Sequence, residues 1–506
     1  MPRDGCALAC KNPGVSNPDR LSGLDTSFLH LERDVSHMHV AACSVFEGPP
    51  PAYTELLETV VSRLHLVPRY RQRLAFVPFG QGRPVWVDDP HFNPRFHVRH
   101  TALPRPGGDE QLKRLAGRVF SQSLDRARPL WELWLVEGVA QDRFALLSKT
   151  HHALVDGISG VDIATVLFDT SPNPAPVAPP AEEWVPRPLP SRAQLLADAL
   201  LERATVPAEI ARGIGAALRG PRRLVRRSFD TATALKAFAA GGFEPAPSTP
   251  FNVPIGPHRR FTWVRGELKD FKAVKNALSG TVNDVVLASV TGALAHYMRA
   301  HGCETEGVQL KAMVPVSIRA DFERGALGNK VAAMWAPLPV GTADPAAQLE
   351  EIRLAMADIK ESGQAVGAQA VTELAGFAPP TILAQAARLQ ARQRMFNLVI
   401  TNVPGPQHAL YVLGRELECM FPLVPLAENT AVGIAVMSYN GQMSFGLNGD
   451  YDAMPDLEAF AGYLQDAFDV LVRAAKSVHP RSRAATDRGR GPRASRGGRL
   501  RVIEAE

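Results

Sequence analysis

The chain has 506 residues, 45% hydrophobic and 21% charged, with a formal net charge of +5. At that length one core is not expected, because single cores stop growing near ~250–300 residues, so two domains plus tails are the starting point. Five scattered cysteines (Cys6, Cys10, Cys43, Cys303 and Cys419) form no CxxC pair and exclude a disulfide framework or zinc site, and no stretch reaches the ~18 apolar residues needed to span a bilayer. Reduced thiols point to the cytoplasm, and any membrane contact is expected to be peripheral. The small positive excess would suit an anionic lipid surface, a phosphorylated cofactor or nucleic acid, and by itself selects none of them.

Residues 1–20 carry charge and proline, lack the apolar run of a signal peptide, and read as a flexible lead-in. A compact mixed unit is expected over 21–172. Within it, Ala52 to Leu66 has helical spacing through Leu56, Leu57, Val60, Val61 and Leu64, stopped by Pro68. Leu130–Val136 and Arg143–Thr150 read as two strands of a hairpin turning between Gly138 and Asp142. A helix through Ile158, Val161, Ile163, Ala164 and Leu167 follows.

Residues 173–258 read as proline-rich linkers around a basic helical segment, in which Arg212, Arg219, Arg222, Arg223, Arg226 and Arg227 accompany Ile210, Ile214 and Leu218. Pro221 should interrupt that helix. A second unit is expected over 259–475. It holds a helix from Asn283 to His301 stopped by Gly302, a strand over 312–318, and a hairpin whose strands, 431–439 and 442–447, meet at Asn440-Gly441. Asn-Gly suits a type I′ turn because both central residues need positive φ. Leu457, Phe460, Leu464, Phe468 and Leu471 form a helical stripe with Asp456 as its N-cap. Residues 476–506, rich in arginine, glycine and serine, have too little to bury and read as a disordered basic tail.

The chemistry concentrates in Ser148-Lys-Thr-His151-His152-Ala-Leu-Val-Asp156-Gly157-Ile-Ser-Gly160, where a strand gives way to a helix. In an extended chain adjacent histidines point to opposite faces, so one is expected to be buried as support while the other faces open space. Divergent histidines do not close on one ion, and no metal site is expected. A single histidine can act as a base near neutral pH. Taken one at a time, His151 reads as a core histidine, Asp156 as a helix cap and Gly157 as a tight turn. The combination HHxxxDG is more specific than its members.

HHxxxDG resembles the signature of the chloramphenicol acetyltransferase-like, CoA-dependent acyltransferases. Further stretches resemble the bacterial wax ester synthase/diacylglycerol acyltransferase family: Leu21 to Glu32 followed by His37-Met-His39-Val40, Pro129-Leu130-Trp131, Asn283-Asp284, Lys311 to Arg319, Gly328-Asn329 and Thr401 to Pro406. The resemblance covers roughly Leu21 to Ala475. It implies an α/β (α+β) fold of two chloramphenicol acetyltransferase-like subdomains, with mixed sheets covered by helices, a helical linker and an active-site tunnel between them.

The resemblance further implies an acyl-CoA-dependent O-acyltransferase that moves a long-chain acyl group to diacylglycerol, to a fatty alcohol, or to both. Acyl-CoA would be a co-substrate, with no bound cofactor. His152 would be the general base without an acyl-enzyme, and His151 its support. Asp156 would be structural and orienting, with Arg319 as its candidate partner, and Gly157 would make the turn. Asn283 would position the acceptor or the oxyanion, or merely sit in the first turn of a helix opened by the capping-box pattern Thr281-x-x-Asp284. Trp131 reads as a core residue, and Pro404 and Gly405 as loop-shaping. The basic segment, with Leu218, Leu224 and Val225, would either be a solvated connector or lie on an anionic membrane or lipid-droplet surface, on the inner face of the membrane. No nucleic-acid partner is expected. A condensation-type enzyme using a carrier-protein thioester and a non-catalytic lipid-binding protein are the alternatives, and the sequence contains no carrier or adenylation module.

Overall fold

The computed structural model describes residues 19–155, 166–202, 245–317, 331–361 and 394–486. The basic segment around Arg212 to Arg227, most of the helix expected through Ile158 to Leu167, and the tail beyond 486 lie outside the described residues.

Two six-stranded mixed sheets organise the chain. In the first stretch, α1 (Gly23–Leu31) leads to β1 (His39–Phe46), α2 (Tyr53–Arg63), the small ladder β2 (Gln72–Ala75) with β3 (Val85–Asp88), and α3 (Pro94–His97). It continues through β4 (Val98–Ala102), α4 (Asp109–Phe120), β5 (Trp131–Val139), β6 (Arg143–His151) and the short α5 (His152–Val155). The second stretch holds β7 (Arg259–Glu267), α6 (Leu268–Ala277), α7 (Val282–Ala300), β8 (Leu310–Ser317), β9 (Val331–Leu338) and α8 (Pro345–Glu361). After it come β10 (Leu398–Pro404), β11 (Tyr411–Val412), β12 (Arg415–Leu423), β13 (Val432–Tyr439), β14 (Gln442–Asp450) and α9 (Leu457–Thr486).

The first sheet runs β11-β12-β1-β6-β5-β4 and the second β7-β14-β13-β10-β8-β9. β11 and β12 therefore leave the second stretch of chain to complete the first sheet. β12 pairs antiparallel with β1, Ala41 opposite Leu423 and Cys43 opposite Phe421. Its alternation explains the docking: Leu417, Cys419, Phe421 and Leu423 are buried while the intervening residues are not.

α4 covers one face of the first sheet and at the same time touches the second. Leu112, Leu115, Val119 and Phe120 pack with Cys43, Leu147 and Phe421 of the first sheet and with Phe261 and Trp263 of β7. Trp263 stacks on Phe421 with ring centroids 4.4 Å apart. On the opposite face, Leu56, Leu57 and Val60 of α2 meet Trp131, Leu133, Leu135 and Leu146. Trp131 is fully buried, donates its indole N–H to the Tyr70 carbonyl (2.8 Å) and stacks on His97, so it is a core residue.

Local signals hold up in the second unit. Thr281 and Asp284 form the reciprocal capping box that opens α7, with Thr281 Oγ1 accepting from Asp284 N (3.2 Å) and Asp284 Oδ2 from Thr281 N (2.8 Å). Gly302, at φ +71°, ends the helix. Asn440 and Gly441, at φ +42° and +80°, turn the β13–β14 hairpin. One expectation holds in position only, and another changes. Asp456 stands at the N-cap of α9, its carbonyl accepting from Phe460 N–H (3.1 Å), but its carboxylate turns elsewhere: Oδ1 accepts from the Tyr297 hydroxyl (3.2 Å) and Oδ2 lies 3.3 Å from His301 Nε2. α9 also continues to Thr486, past residue 476 where the tail was expected to begin, although its buried stripe ends at Ala475 and Pro480 lies within the added turns.

Among the described residues no single helix is long and apolar enough to cross a membrane. Only α6 and α7 taken together, across a 96° bend, match the length and hydropathy of a span, and α7 spends its apolar face in the core with Val285, Val286, Val290 and Leu294.

Contact between β14 and β12 leaves no room for a side chain at Gly446, where a Cβ would fall 1.7 Å from the Pro422 carbonyl oxygen. Gly446→Ala should force the two strands apart and destabilise the protein by about 1–3 kcal/mol, as overpacking does. The urea midpoint should fall, and an unchanged midpoint would show that the strands tolerate the separation.

Candidate active site

The histidine pair straddles the end of β6. His151 is the last strand residue and completely buried, whereas His152 opens α5 and is partly exposed. Both are pinned through the backbone: His151 N–H bonds to Leu130 O (3.0 Å) and His152 N–H to Met38 O (2.8 Å). The His152 ring stacks on Phe28 of α1, with centroids 4.3 Å apart and planes within 20°.

His151 Nδ1 accepts the Ala153 N–H (3.0 Å), so in the neutral ring the proton sits on Nε2. That nitrogen lies 3.5 Å from Glu32 Oε2 at the end of α1. Glu32 also accepts from Arg126 Nε (2.8 Å) and from Met38 N–H (3.3 Å). Burial alone would raise the Glu32 pKa, but His151 and Arg126 outweigh it and bring the carboxyl down to about 2. Glu32 thus ties three parts of the site together: the helix bearing Phe28, the turn bearing Met38, and the His151 ring.

Beneath this group, basic side chains satisfy the carbonyls at the C-terminal end of α4, where an isolated helix leaves acceptors unpaired. His39, directly across from His151 in the β1–β6 register, donates Nε2–H to Phe120 O (3.0 Å). His37 donates Nε2–H to Ser121 O (2.9 Å). Lys149 is fully buried and donates to Gln122 O (2.9 Å) and Val119 O (3.3 Å), with Glu132 Oε2 at 3.2 Å. Burial pushes His39 well below the ordinary histidine pKa and lowers His37 as well, Arg259 adding to the effect on His37. Burial likewise lowers Lys149, against the pull of Glu132.

Asn283 sits in the first turn of α7. Its Oδ1 accepts from Asn402 Nδ2 (3.3 Å), which joins the Asn283-Asp284 and Thr401-to-Pro406 stretches in space. Gly405 packs so closely on β13 that a Cβ there would sit 2.3 Å from Ser438 O, which makes it a backbone-shaping residue. Asp156, Gly157 and Arg319 lie outside the described residues. Among the described residues no three His, Cys, Asp or Glu side chains gather in a group able to hold a metal ion.

Reading the sequence residue by residue did not assign roles to Phe28, Glu32, Arg126, Lys149 or Asn402. The first two stood inside the Leu21–Glu32 stretch and Asn402 inside Thr401–Pro406, so a signal existed for them. Lys149 stands inside the Ser148–Gly160 stretch, and Arg126 carries no such signal, because its importance comes from what folds around it.

The wax ester synthase/diacylglycerol acyltransferase catalytic-domain family model matches residues 21–286, and the companion C-terminal domain model matches 327–472. A relative from Mycobacterium tuberculosis, named as a diacylglycerol O-acyltransferase, is 33% identical over 480 residues, covering 91% of each chain. The solved wax ester synthase/diacylglycerol acyltransferase of Marinobacter aquaeolei is 29% identical with a TM-score of 0.63, covering 90% of this chain and all of that one. The starter condensation domain of rhizomide synthetase shares the fold alone, at 14% identity and a TM-score of 0.53, over 90% of this chain and 94% of that one.

The depressed Glu32 pKa carries a linkage consequence. A carboxyl held at about 2 in the fold, against an ordinary 4.5, adds stability above pH 4.5 that is lost as pH falls toward 2. At neutral pH the contribution is on the order of 3 kcal/mol. Glu32→Gln should therefore unfold at lower urea than wild type at pH 7, with the gap closing between about pH 4.5 and 2 as the wild-type carboxylate is protonated. A gap independent of pH would mean that Glu32 acts through packing alone.

Proposed function

The chain belongs to the wax ester synthase/diacylglycerol acyltransferase family and is an O-acyltransferase, and on that premise we propose that it moves a long-chain acyl group from acyl-CoA to the hydroxyl of diacylglycerol, a fatty alcohol or both, with His152 as general base. The observation that supports this most is the division of labour within the histidine pair. His151 is buried and engaged on both ring nitrogens' sides, by Ala153 N–H and the Glu32 carboxylate, whereas His152 is partly open and held in plane by Phe28.

In this reaction His152 takes the proton from the acceptor hydroxyl as that oxygen attacks the thioester carbonyl. The tetrahedral oxyanion collapses, the carbon–sulfur bond breaks, and the proton passes from His152 to the departing CoA sulfur. Base catalysis of this kind supplies typically ~10²–10⁴-fold, and positioning and oxyanion stabilisation supply the rest. Asn283 fits the oxyanion or acceptor role, because Asn402 occupies its carbonyl end and leaves its amide N–H groups as the donating side. Asp156, paired with Arg319, and Gly157 would shape the loop that follows His152. No cofactor is bound in this scheme, and acyl-CoA is a substrate.

Both acceptor classes partition into lipid, so the proposed setting is the inner face of the membrane or a lipid-droplet surface, reached by peripheral contact. The test is thiol release from palmitoyl-CoA with 1,2-diacylglycerol or hexadecanol as acceptor. The proposal expects release that depends on the acceptor, and the faster alcohol identifies the preferred product. Folded protein that binds palmitoyl-CoA yet releases no thiol with either alcohol would favour a carrier-protein donor or lipid binding without catalysis.

A further inference from the structure

Arg259 opens β7, and its side chain is one of the most buried cations in the protein, 4% exposed against 2% for Asp450 at the end of β14. Nη1 lies 3.5 Å from Asp450 Oδ2 and donates to the carbonyls of Gly256 (2.7 Å) and His258 (2.9 Å). Asp450 is in turn held by the N–H groups of Gly256 (2.7 Å), Asp452 (3.1 Å) and Ala453 (2.9 Å). So far this is an ion pair internal to the second unit.

The other arm of the guanidinium leaves that unit. Nη2 donates to the carbonyl of Val35, in the turn between α1 and β1. The backbone N–H of Arg259 donates to Ser121 Oγ (2.8 Å) at the end of α4, and Ser121 O accepts from His37 (2.9 Å), two residues beyond Val35. A closed ring of hydrogen bonds thus runs from Arg259 to Val35, along the chain to His37, through Ser121 and back to Arg259. The next residue in that turn is Met38, whose carbonyl holds the His152 N–H and whose N–H meets Glu32.

We propose that Arg259 is a positioning residue for acyl transfer: it clamps the Val35–Met38 turn to the second sheet and so fixes the backbone from which His152 projects. The clamp rests on the assignment of His152 as the base. A buried Arg–Asp pair is in general weak evidence for stability, since desolvation offsets much of the attraction. What distinguishes this one is the third connection, across the unit boundary to a carbonyl three residues from the His152 hydrogen bond. A lysine would keep the charge opposite Asp450 but has no planar fork with which to reach Val35 at the same time.

The experiment uses the full chain with Arg259→Lys and Arg259→Ala, assayed with palmitoyl-CoA and diacylglycerol, with melting temperatures measured alongside. Arg259→Lys should keep a near-wild-type melting temperature and lose about 10- to 100-fold in kcat, the scale of a misplaced catalytic group, with KM for both substrates changed less than about 2-fold. Millimolar guanidinium ion should restore a measurable part of kcat to Arg259→Ala. The proposal is overturned if Arg259→Lys has wild-type kcat, if KM rises while kcat holds, or if guanidinium recovers the melting temperature of Arg259→Ala without recovering kcat. Retained turnover in His152→Ala would instead remove the base assignment on which the clamp depends, and is read in a separate variant.

Discussion

Buried charge has to be paired, and the arrangement around His151 follows from that constraint. Glu32 is buried and ionised, so it is surrounded by Arg126, the Met38 N–H and the His151 ring. Each of these belongs to a different segment: the loop before β5, the turn before β1, and the end of β6. Ionisation of one carboxyl therefore fixes the relative positions of three segments that are far apart in sequence. His152 inherits its place from them, through its own N–H to Met38 and its stack on Phe28, one turn before Glu32 on the same helix.

The same logic extends downward into α4. A helix ending against a buried strand leaves carbonyls that water does not reach, and His37, His39 and Lys149 supply the donors. Low pKa values for the two histidines are consistent with that task, because a neutral imidazole still has one N–H to give. A buried polar network of this kind is costly when incomplete and rigid when satisfied. α4 also packs on β7, so the floor of the site is shared by both sheets, and the return of β11 and β12 to the first sheet binds the units a second time.

Much of the framework was legible in the sequence where the cause is local. The Asn440-Gly441 turn, the Thr281–Asp284 box, the hairpin before His151 and the stripe of α9 all depend on residues within a few positions of each other. The burial of His151 and the partial exposure of His152 match the expected division but not its expected cause, because the strand stops at His151 and His152 projects from the first residue of α5. What could not be read is long-range pairing. The alternation of Leu417, Cys419, Phe421 and Leu423 announces a strand but not that its partner is β1, since register is a property of two segments. Lys149 looks like any polar strand residue until α4 is laid across it, and Arg259 like any arginine at the start of a strand until Val35 comes within reach. Asp456 shows the same division: its N-cap position was legible locally, but the pull of Tyr297 and His301 on its carboxylate was not.

Removal of the acceptor's proton by His152 is the proposal at the centre of this account. The most direct measurement is acceptor-dependent thiol release by His152→Ala, with palmitoyl-CoA binding and thermal stability recorded on the same preparation. The account predicts that binding and stability persist while turnover falls by ~10² or more, the contribution of a positioned base. Turnover within a few-fold of wild type would contradict it, and would move the proton-transfer role to another group.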